Sequence, residues 1–287
     1  MPGSLRALLA ISHWAIPKIR NLHVDSFMMK VTVCEMSDNE DNFIGDWNQL
    51  VNHLYQNKTD LLLLPEMPFS KWIASEREVS RELKKRSVDK HEEWILKMDQ
   101  LNAGQIVYSK PIINGDKFFN SAFVFEKGKG HLKIHTKSYF PEEPFFWEET
   151  WYDHEEPITF ESLTSGGIKI GVLLCTEMWF MEYAREYGKQ GIDILLCPRA
   201  TGIVSVNQWI RCGQTLSVLS GAYCLSSNKT GLSDRDFQWG GHGWIAEPVN
   251  GNLLGSTNTH EKFVTVEIDI TKSRDAKREY PLYVKGY

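Results

Sequence analysis

The sequence predicts an α/β fold, in which a sheet is covered by helices on both faces. Two observations predict it. Apolar strand-like runs alternate along the chain with segments whose apolar residues recur at helical spacing. The strand-like runs are also apolar almost throughout, which is typical of strands that are buried on both sides.

The first half of the chain opens with a β-α-β pattern. Residues 29–34 have strand composition, residues 43–55 carry apolar residues at helical spacing, and Leu61 to Leu64 form a strand that Pro65 ends. A helix is predicted over 79–101. Strands follow at 105–111, 121–126 and 131–139, separated by the turn signals Asn114-Gly115 and Gly128-Lys-Gly130.

The second half continues the alternation. The predicted strands cover residues 168–174, 192–197, 223–227, 243–247 and 263–268, and the predicted helices cover 182–189 and 208–220. No Pro/Gly/Ser-rich linker and no repeat divides the 287 residues. We therefore expect one domain over 29–287, preceded by an N-terminal extension over 1–28 that is disordered or atypical.

Composition argues against several classes of function. The net charge is −5 and Lys and Arg do not cluster in a stripe, which disfavours nucleic-acid binding. No apolar stretch reaches the ~18 to 20 residues of a membrane span. The five cysteines form no C-x-x-C or zinc pattern, so we expect a reducing compartment and a cytoplasmic protein.

Three segments place a reactive side chain at or near a strand end. They are Leu61-Leu-Leu-Leu-Pro-Glu66, Thr136-Lys137-Ser-Tyr-Phe-Pro141 and Gly171-Val-Leu-Leu-Cys175-Thr-Glu177. Strand ends are where loops take over from packing and where sites are commonly built. Taken singly, a strand-end cysteine is equally typical of inert packing, Glu66 of a surface carboxylate and Lys137 of a solvated lysine.

Together the three segments resemble the nitrilase superfamily of carbon-nitrogen hydrolases, which carries a glutamate, a lysine and a cysteine in this order. Tyr223-Cys-Leu-Ser-Ser-Asn228 and Gly240-Gly-His-Gly-Trp244 resemble further strands of that family. The resemblance covers about 29–270. It implies a four-layer α-β-β-α sandwich.

The resemblance also implies roles for individual residues. Cys175 would be the nucleophile and Glu66 the base. Lys137 and the backbone N–H of Thr176 would stabilise the oxyanion. Lys133-Ile-His135 fits the family's lysine motif too, but Phe140-Pro141 and the later Phe145-Phe-Trp-Glu148 favour Lys137. Glu148 is the nearest match to a second catalytic glutamate, although Glu142, Glu143 and Glu149 share its loop.

Substrate recognition is less defined by the sequence. Glu177 and Glu182 after the cysteine resemble amidase branches, and arginines typical of N-carbamoyl-D-amino acid enzymes are replaced by Met178 and Trp179. Arg199 is a candidate for binding a substrate carboxylate, or for an internal salt bridge. Trp179 and His242 are candidates for lining the pocket together with Trp147 and Trp151, or these aromatics belong to the core.

These features predict hydrolysis of a small carboxamide through a thioester at Cys175, without a metal or organic cofactor. Nitrile hydrolysis, N-carbamoyl hydrolysis and a non-catalytic scaffold are the alternatives. The resemblance further implies a homodimer or a larger even-numbered homo-oligomer, with helices near 181–189 and 208–220 as candidate contacts.

Overall fold

The computed structural model describes residues 26–284 and contains six helices and fifteen strands in that range. The strands are β1 (Met28–Ser37), β2 (Thr59–Leu63), β3 (Ala103–Asn114), β4 (Lys117–Glu126), β5 (Gly130–Thr136), β6 (Glu142–Glu143), β7 (Phe146–Trp147), β8 (Leu163–Ser165), β9 (Ile168–Val172), β10 (Ile194–Arg199), β11 (Tyr223–Leu232), β12 (Gln238–Gly240), β13 (Trp244–Ala246), β14 (Leu253–Ser256) and β15 (Phe263–Asp269). The helices are α1 (Glu40–Gln56), α2 (Arg81–Ile95), α3 (Glu148–Trp151), α4 (Met181–Gln190), α5 (Val206–Ser220) and α6 (Ile270–Ala276).

Strand β1 joins the two halves of the large sheet. Its pairing with β2 and β15 ends near Cys34, and its last residues, from Glu35 to Ser37, pair with β11 instead. The strand order β5-β4-β3-β2-β1-β11-β10-β9-β8 therefore folds into two stacked halves. Strands β1, β2, β9, β10 and β11 form the parallel centre.

Apolar side chains fill three layers of core. Val31, Leu61 and Val107 from one half of the sheet pack against Ile170 and Leu196 from the other. Outside the first half, α1 and α2 contribute Trp47 and Trp94; outside the second, α4 and α5 contribute Tyr187 and Leu216. This arrangement confirms the expected α-β-β-α sandwich.

Local chemistry explains where the helices begin and how closely they pack. Helix α1 begins after Asn39, whose side-chain oxygen accepts hydrogen bonds from the N–H groups of Asp41 and Asn42. On α5, a Cβ at Gly213 would lie 2.4 Å from Nε1 of Trp244. Glycine therefore lets α5 pack directly on the sheet beneath the site.

The predicted elements differ from the structure mainly at their ends. The helix predicted over 79–101 ends at Ile95, because a short 3₁₀ helix at Met98–Gln100 follows it. The strand predicted to reach residue 139 ends at Thr136, which places Lys137 in a loop. The sequence does not predict strands β6, β7, β8, β12 and β14 or helices α3 and α6, since each is short.

Residues 1–25 of the expected N-terminal extension lie outside the described residues, and the first strand begins at Met28. Within 26–284, none of the helices combines the length and the apolar character that crossing a bilayer requires.

Candidate active site

Three strand ends bring Glu66, Lys137 and Cys175 to one edge of the sandwich. Glu66 lies just beyond β2, Lys137 directly after β5, and Cys175 beyond β9. Backbone hydrogen bonds fix two of these positions, from the N–H of Glu66 to the carbonyl of Arg199 (3.2 Å) and from the N–H of Lys137 to that of Asn120 (2.8 Å).

The Lys137 ammonium lies between two carboxylates. Its Nζ donates to Glu66 Oε1 at 2.8 Å and to Glu148 Oε2 at 2.6 Å, and Asn120 Nδ2 donates to the same Glu66 oxygen at 2.8 Å. All three charged side chains are at most 1% exposed. We refer to Glu66, Lys137, Glu148 and Asn120 as the lysine cluster.

The competing lysine and glutamates lie elsewhere. Lys133 forms a half-exposed ion pair with Glu155. Glu142 accepts a hydrogen bond from Thr150, and Glu149 pairs with His154. Glu142, Glu143 and Glu149 are exposed, and Glu143 also lines the small cavity at Cys175. Of the alternatives open in the sequence, Lys137 and Glu148 are the two that meet in the interior.

The lysine cluster contains one more carboxylate than ammonium groups. Burial raises the pKa of Glu148 to about 8, against the attraction of Lys137, and the charge of Glu66 adds to the rise. Burial acts to lower the pKa of Lys137, but the two carboxylates outweigh it and hold that pKa well above its ordinary value. Lys137 therefore stays charged, and Glu148 holds its proton more tightly than an ordinary glutamate does.

Cys175 occupies a backbone conformation that is rare for a residue with a side chain. Its φ is +49°, where a Cβ costs roughly 1–2 kcal/mol. The thiol is 3% exposed, and Sγ lies 4.0 Å from the carbonyl oxygen of Ala200. Burial, followed by the charge of Glu66, raises the pKa of the thiol. The strained turn presents Sγ to a cavity.

This catalytic cavity has a volume of about 90 Å³. Glu148, Cys175, Thr176, Ala200 and Gly202 contribute to its wall. Thr176 is the second residue of the 3₁₀ helix Cys175–Trp179, and the first N–H groups of a helix have no acceptor within it. Cys175 and the first turn of this 3₁₀ helix therefore line one small space.

Glu177 was not assigned a role from the sequence, although its position two residues after the cysteine was noted. Its side chain is fully buried and accepts three hydrogen bonds. The N–H of Leu174 and Nε2 of His135 bind Oε2, both at 2.8 Å, and the N–H of Ser138 binds Oε1 at 2.7 Å. Glu177 thus ties the turn before Cys175 to the residue after Lys137.

The predicted substrate-binding residues lie around the cavity rather than in its wall. Trp179 is 43% exposed and stacks on Trp209, which does line the cavity. His242 has a φ of +54°, and its backbone N–H donates to Glu35. Trp151 is buried in the core, where its Nε1 donates to the carbonyl of Glu76.

Arg199 is fully buried and is held by uncharged groups. Its guanidinium donates to Ser226 Oγ at 2.7 Å, Thr201 Oγ1 at 2.8 Å and the carbonyl of His242 at 2.8 Å, and it lies 4.1 Å from the Trp244 ring. The expected internal salt bridge is absent among the described residues. Burial lowers the pKa of Arg199 to about 10. Through its hydrogen bond to Thr201, which lines the cavity, Arg199 stabilises the cavity wall.

The other four cysteines pack in the cores, as expected from the sequence. Their side chains are at most 2% exposed and all are free thiols: Cys34, Cys197, Cys212 and Cys224. Within residues 26–284, His, Cys, Asp and Glu side chains do not converge in groups of three or more that would suit a metal ion.

Comparisons with known proteins agree with this geometry. The family model described as carbon-nitrogen hydrolase matches residues 30–278. N-carbamoylputrescine amidase of Solanum lycopersicum is 24% identical over 179 residues, which cover 58% of this chain and 59% of that protein. A protein named hydrolase in agr operon, from Staphylococcus lugdunensis, is 25% identical over 234 residues, covering 80% and 96%.

A solved structure shows the same fold. The carbon-nitrogen hydrolase from Helicobacter pylori G27 superposes with a TM-score of 0.79 at 19% sequence identity, covering 90% of this chain and 94% of that one.

Proposed function

The chain belongs to the carbon-nitrogen hydrolase family of the nitrilase superfamily, and from this premise we propose that it hydrolyses a small carboxamide with Cys175 as nucleophile. One observation carries the proposal. A strained cysteine and the buried lysine cluster share the catalytic cavity, where Glu148 and Cys175 both form part of the wall. Perturbed titratable groups around a cavity are typical of active sites.

The first half-reaction would form a thioester. Glu66 takes the proton of Cys175 as Sγ attacks the amide carbon, which turns the carbonyl oxygen into an oxyanion. The Lys137 ammonium and the N–H of Thr176 stabilise this charge. The C–N bond then breaks, and Glu66 returns the proton to the departing ammonia or amine.

The second half-reaction would release the acid. Glu66 removes a proton from water, which attacks the thioester carbon, and the collapse of the second tetrahedral intermediate expels the Cys175 thiolate. The thiolate regains its proton from Glu66. Glu148 holds Lys137 in place throughout, because its Oε2 accepts a hydrogen bond from Nζ.

Hydrolysis of an N-carbamoyl group is the second candidate. The name of the Solanum lycopersicum relative favours it, since that protein is called N-carbamoylputrescine amidase. The same attack on a ureido carbon would place a carbamoyl group on Sγ. The bond to the substrate amine breaks and the amine leaves as this carbamoyl group forms; water then hydrolyses the thiocarbamate to carbamic acid, which decomposes to ammonia and carbon dioxide.

The test is ammonia release from a panel of carboxamides, ureido compounds and nitriles, measured for the wild type and for Cys175→Ala. We expect release from at least one small carboxamide and a loss of at least about 10³-fold in the variant, since triad nucleophiles contribute on this scale. Mass spectrometry of an acid-quenched reaction should find the acyl group on Cys175.

Cys212→Ala is the matched control, because Cys212 is a buried cysteine of the same core cluster that makes no part of the cavity wall. It should retain most of the activity. Hydrolysis that survives Cys175→Ala would exclude the proposed nucleophile. Release from ureido compounds alone would replace the first candidate with the second.

We also propose that the chain assembles as a homodimer or a larger even-numbered oligomer through α4 and α5. Exposed apolar side chains near these helices support this: Trp179, Ile203 at 46% and Val204 at 93% exposure. Light scattering after gel filtration tests it. A monomeric mass at micromolar concentration would contradict it, and Val204→Glu should reduce the mass of an assembled form.

A further inference from the structure

A second cavity, with a volume of about 210 Å³, lies beside the catalytic cavity. We refer to it as the aromatic cavity. Its wall is mainly apolar, and six side chains make most of it: Trp72, Ile73, Leu83, Phe145, Phe237 and Trp239. Aromatic walls of this kind bind apolar groups, because such rings bury a large area at little entropic cost.

One layer of protein separates the two cavities. Phe146 lines the catalytic cavity, and its ring packs against three rings of the aromatic cavity, with centroids 6.2 Å from Trp72, 5.5 Å from Phe237 and 6.1 Å from Trp239. Gly202 lines the catalytic cavity too, and a Cβ there would lie 2.6 Å from Phe237. The layer that separates the two cavities therefore consists of the half-buried Phe146 ring and the Gly202 backbone, and we call it the partition.

The partition belongs to a short element. Phe146 lies in β7, a two-residue strand that pairs with β6, and the preceding Phe145 has a φ of +71°. A hydrogen bond from Trp72 Nε1 to the Phe145 carbonyl (3.0 Å) anchors this turn to the wall of the aromatic cavity. The Phe146 ring packs against other aromatic rings, and a substrate group of similar character can replace these contacts at low cost.

The catalytic cavity alone is small. Its 90 Å³ holds an amide group and little more, whereas sites for small molecules begin at about 300 Å³. The aromatic cavity is more than twice as large. A substrate larger than the simplest amides needs space beyond the catalytic cavity, and this neighbouring space lies one ring away.

The charges around the aromatic cavity are already paired. Lys71 forms an ion pair with Asp234 at the mouth, and Arg235 forms one with Glu76. Asp38 accepts hydrogen bonds from Lys229 Nζ at 2.6 Å and from the N–H of Trp72 at 2.9 Å. A charged substrate group would therefore be desolvated without a free counter-charge.

We propose that the aromatic cavity receives an uncharged apolar group of the substrate, aryl or branched alkyl, which displaces the Phe146 ring from the partition. This inference rests on the proposed amide hydrolysis and narrows its substrate class. The carboxamide lies in the catalytic cavity, and the apolar group two or three bonds away lies among Trp72, Phe237 and Trp239.

The kinetic test compares kcat/KM for 3-phenylpropionamide with that for propionamide. We expect a ratio of at least about ten, since each group added to a complementary apolar pocket is worth 10-fold or more. Matched amides that end in an ammonium or a carboxylate, 5-aminopentanamide and glutaramate, should fall below propionamide. The kcat/KM for N-benzylacetamide shows whether the apolar group belongs to the acyl or the amine side of the substrate.

Ser75→Phe fills the cavity from its wall, because Ser75 lines it and is half-buried. This variant should bring the ratio towards one. Ser256→Phe makes the same change on the exposed face of β14 and should keep the ratio of the wild type. A wild-type ratio near one, or a high ratio that survives Ser75→Phe in folded protein, overturns the proposal.

Calorimetric titration separates this inference from the proposed function. Cys175→Ala binds without turnover, so it should take up 3-phenylpropionamide at least about tenfold more tightly than the Cys175→Ala, Ser75→Phe double variant does. That outcome supports binding of the apolar group in the aromatic cavity even if the wild type hydrolyses no amide. Equal affinity in the two proteins overturns the proposed role of the aromatic cavity even if amides are hydrolysed.

Discussion

Two buried lysines in this molecule have opposite surroundings. Lys229 on β11 donates to Asp38 at 2.6 Å and to the carbonyl of Ser70 at 3.0 Å, so one ammonium faces one carboxylate. Lys137 faces two carboxylates, those of Glu66 and Glu148. The first arrangement sets one carboxylate against one ammonium, and the second sets two carboxylates against one ammonium next to a cysteine.

Hydrogen bonding differs in the same way. In the lysine cluster, buried oxygens of Glu66, Glu148 and Asn120 have no hydrogen-bond partner among the described residues, whereas both Lys229 and Asp38 are matched by donors and acceptors. Unsatisfied buried polar atoms cost stability and tend to occur at functional sites. A buried lysine is thus structural or chemical according to what surrounds it, and its burial alone does not decide.

The largest effect is expected for Lys229→Met. Removing one partner of a buried ion pair leaves Asp38 uncompensated, which costs about 3–5 kcal/mol in the free energy of unfolding. Urea denaturation measures it. The control Lys85→Met, which breaks an exposed pair with Asp89, should change stability by less than about 1 kcal/mol. Equal effects from the two variants would remove the contrast, and adding Asp38→Asn to Lys229→Met should recover part of the loss.

Lys137→Met should act on catalysis as well as on stability, since it also leaves buried carboxylates without their ammonium. Loss of one donor to a developing oxyanion lowers kcat by about 10²–10³-fold, or roughly 3–4 kcal/mol. The assay is hydrolysis of the best carboxamide by protein whose fold is verified by circular dichroism. Lys133→Met removes the neighbouring half-exposed lysine and should stay within about twofold of the wild type. A catalytic loss that follows Lys133 rather than Lys137 would reverse the assignment.

A smaller effect is expected for Glu177→Gln, because Glu177 positions other groups without reaching the cavity. The amide cannot accept all three hydrogen bonds, so the turn before Cys175 and the backbone after Lys137 lose their common anchor. We expect kcat to fall by about 10- to 100-fold, which corresponds to about 1–3 kcal/mol, while KM changes little.

Steady-state kinetics measures kcat and KM separately. Glu182→Gln in α4 serves as the control, because Glu182 is exposed. An increase in KM at unchanged kcat would show that Glu177 acts on substrate binding instead. A lower melting temperature with unchanged kinetics would leave it a purely structural residue.

Strand ends predicted Glu66 and Lys137 of the lysine cluster, the family resemblance added Glu148, and Asn120 was not predicted. The run Leu61 to Leu64 must be buried, and the polar residue that follows Pro65 therefore lies at a sheet edge. Parallel strands end at the same edge, so strand-end residues converge. Alternation along the predicted strand 131–139 could not decide between Lys133 and Lys137, because both have the same parity there.

Contacts between residues distant in sequence could not be predicted from such patterns. The contact of Glu177 with His135 spans 42 residues, and that of Lys229 with Asp38 spans 191. Arg199 was a candidate for binding a substrate carboxylate or for an internal salt bridge, yet its hydrogen bonds go to neutral oxygens of Ser226, Thr201 and His242. The aromatic cavity depends likewise on rings from three separate segments, around Trp72, Phe145 and 237–239.

The last prediction concerns the pH dependence of the free energy of unfolding, which distinguishes Glu148 from an ordinary surface glutamate. Its folded pKa of about 8 lies above the ordinary value of 4.5, so the folded state binds more protons between these values. The stabilising effect is complete below pH 4.5 and is lost as pH rises through 8, at no more than about 1.4 kcal/mol per pH unit.

The wild type should therefore lose more stability between pH 6.5 and 7.5 than Glu148→Gln, which cannot ionise, when urea unfolding is measured at both values. The raised pKa of Lys137 acts above 10.5, outside this window. Burial lowers the pKa of His91 to about 3, but that effect is common to both proteins and cancels. Glu142→Gln should behave as the wild type. Parallel changes in wild type and Glu148→Gln would mean that Glu148 is already ionised, and that the lysine cluster carries its excess negative charge throughout this range.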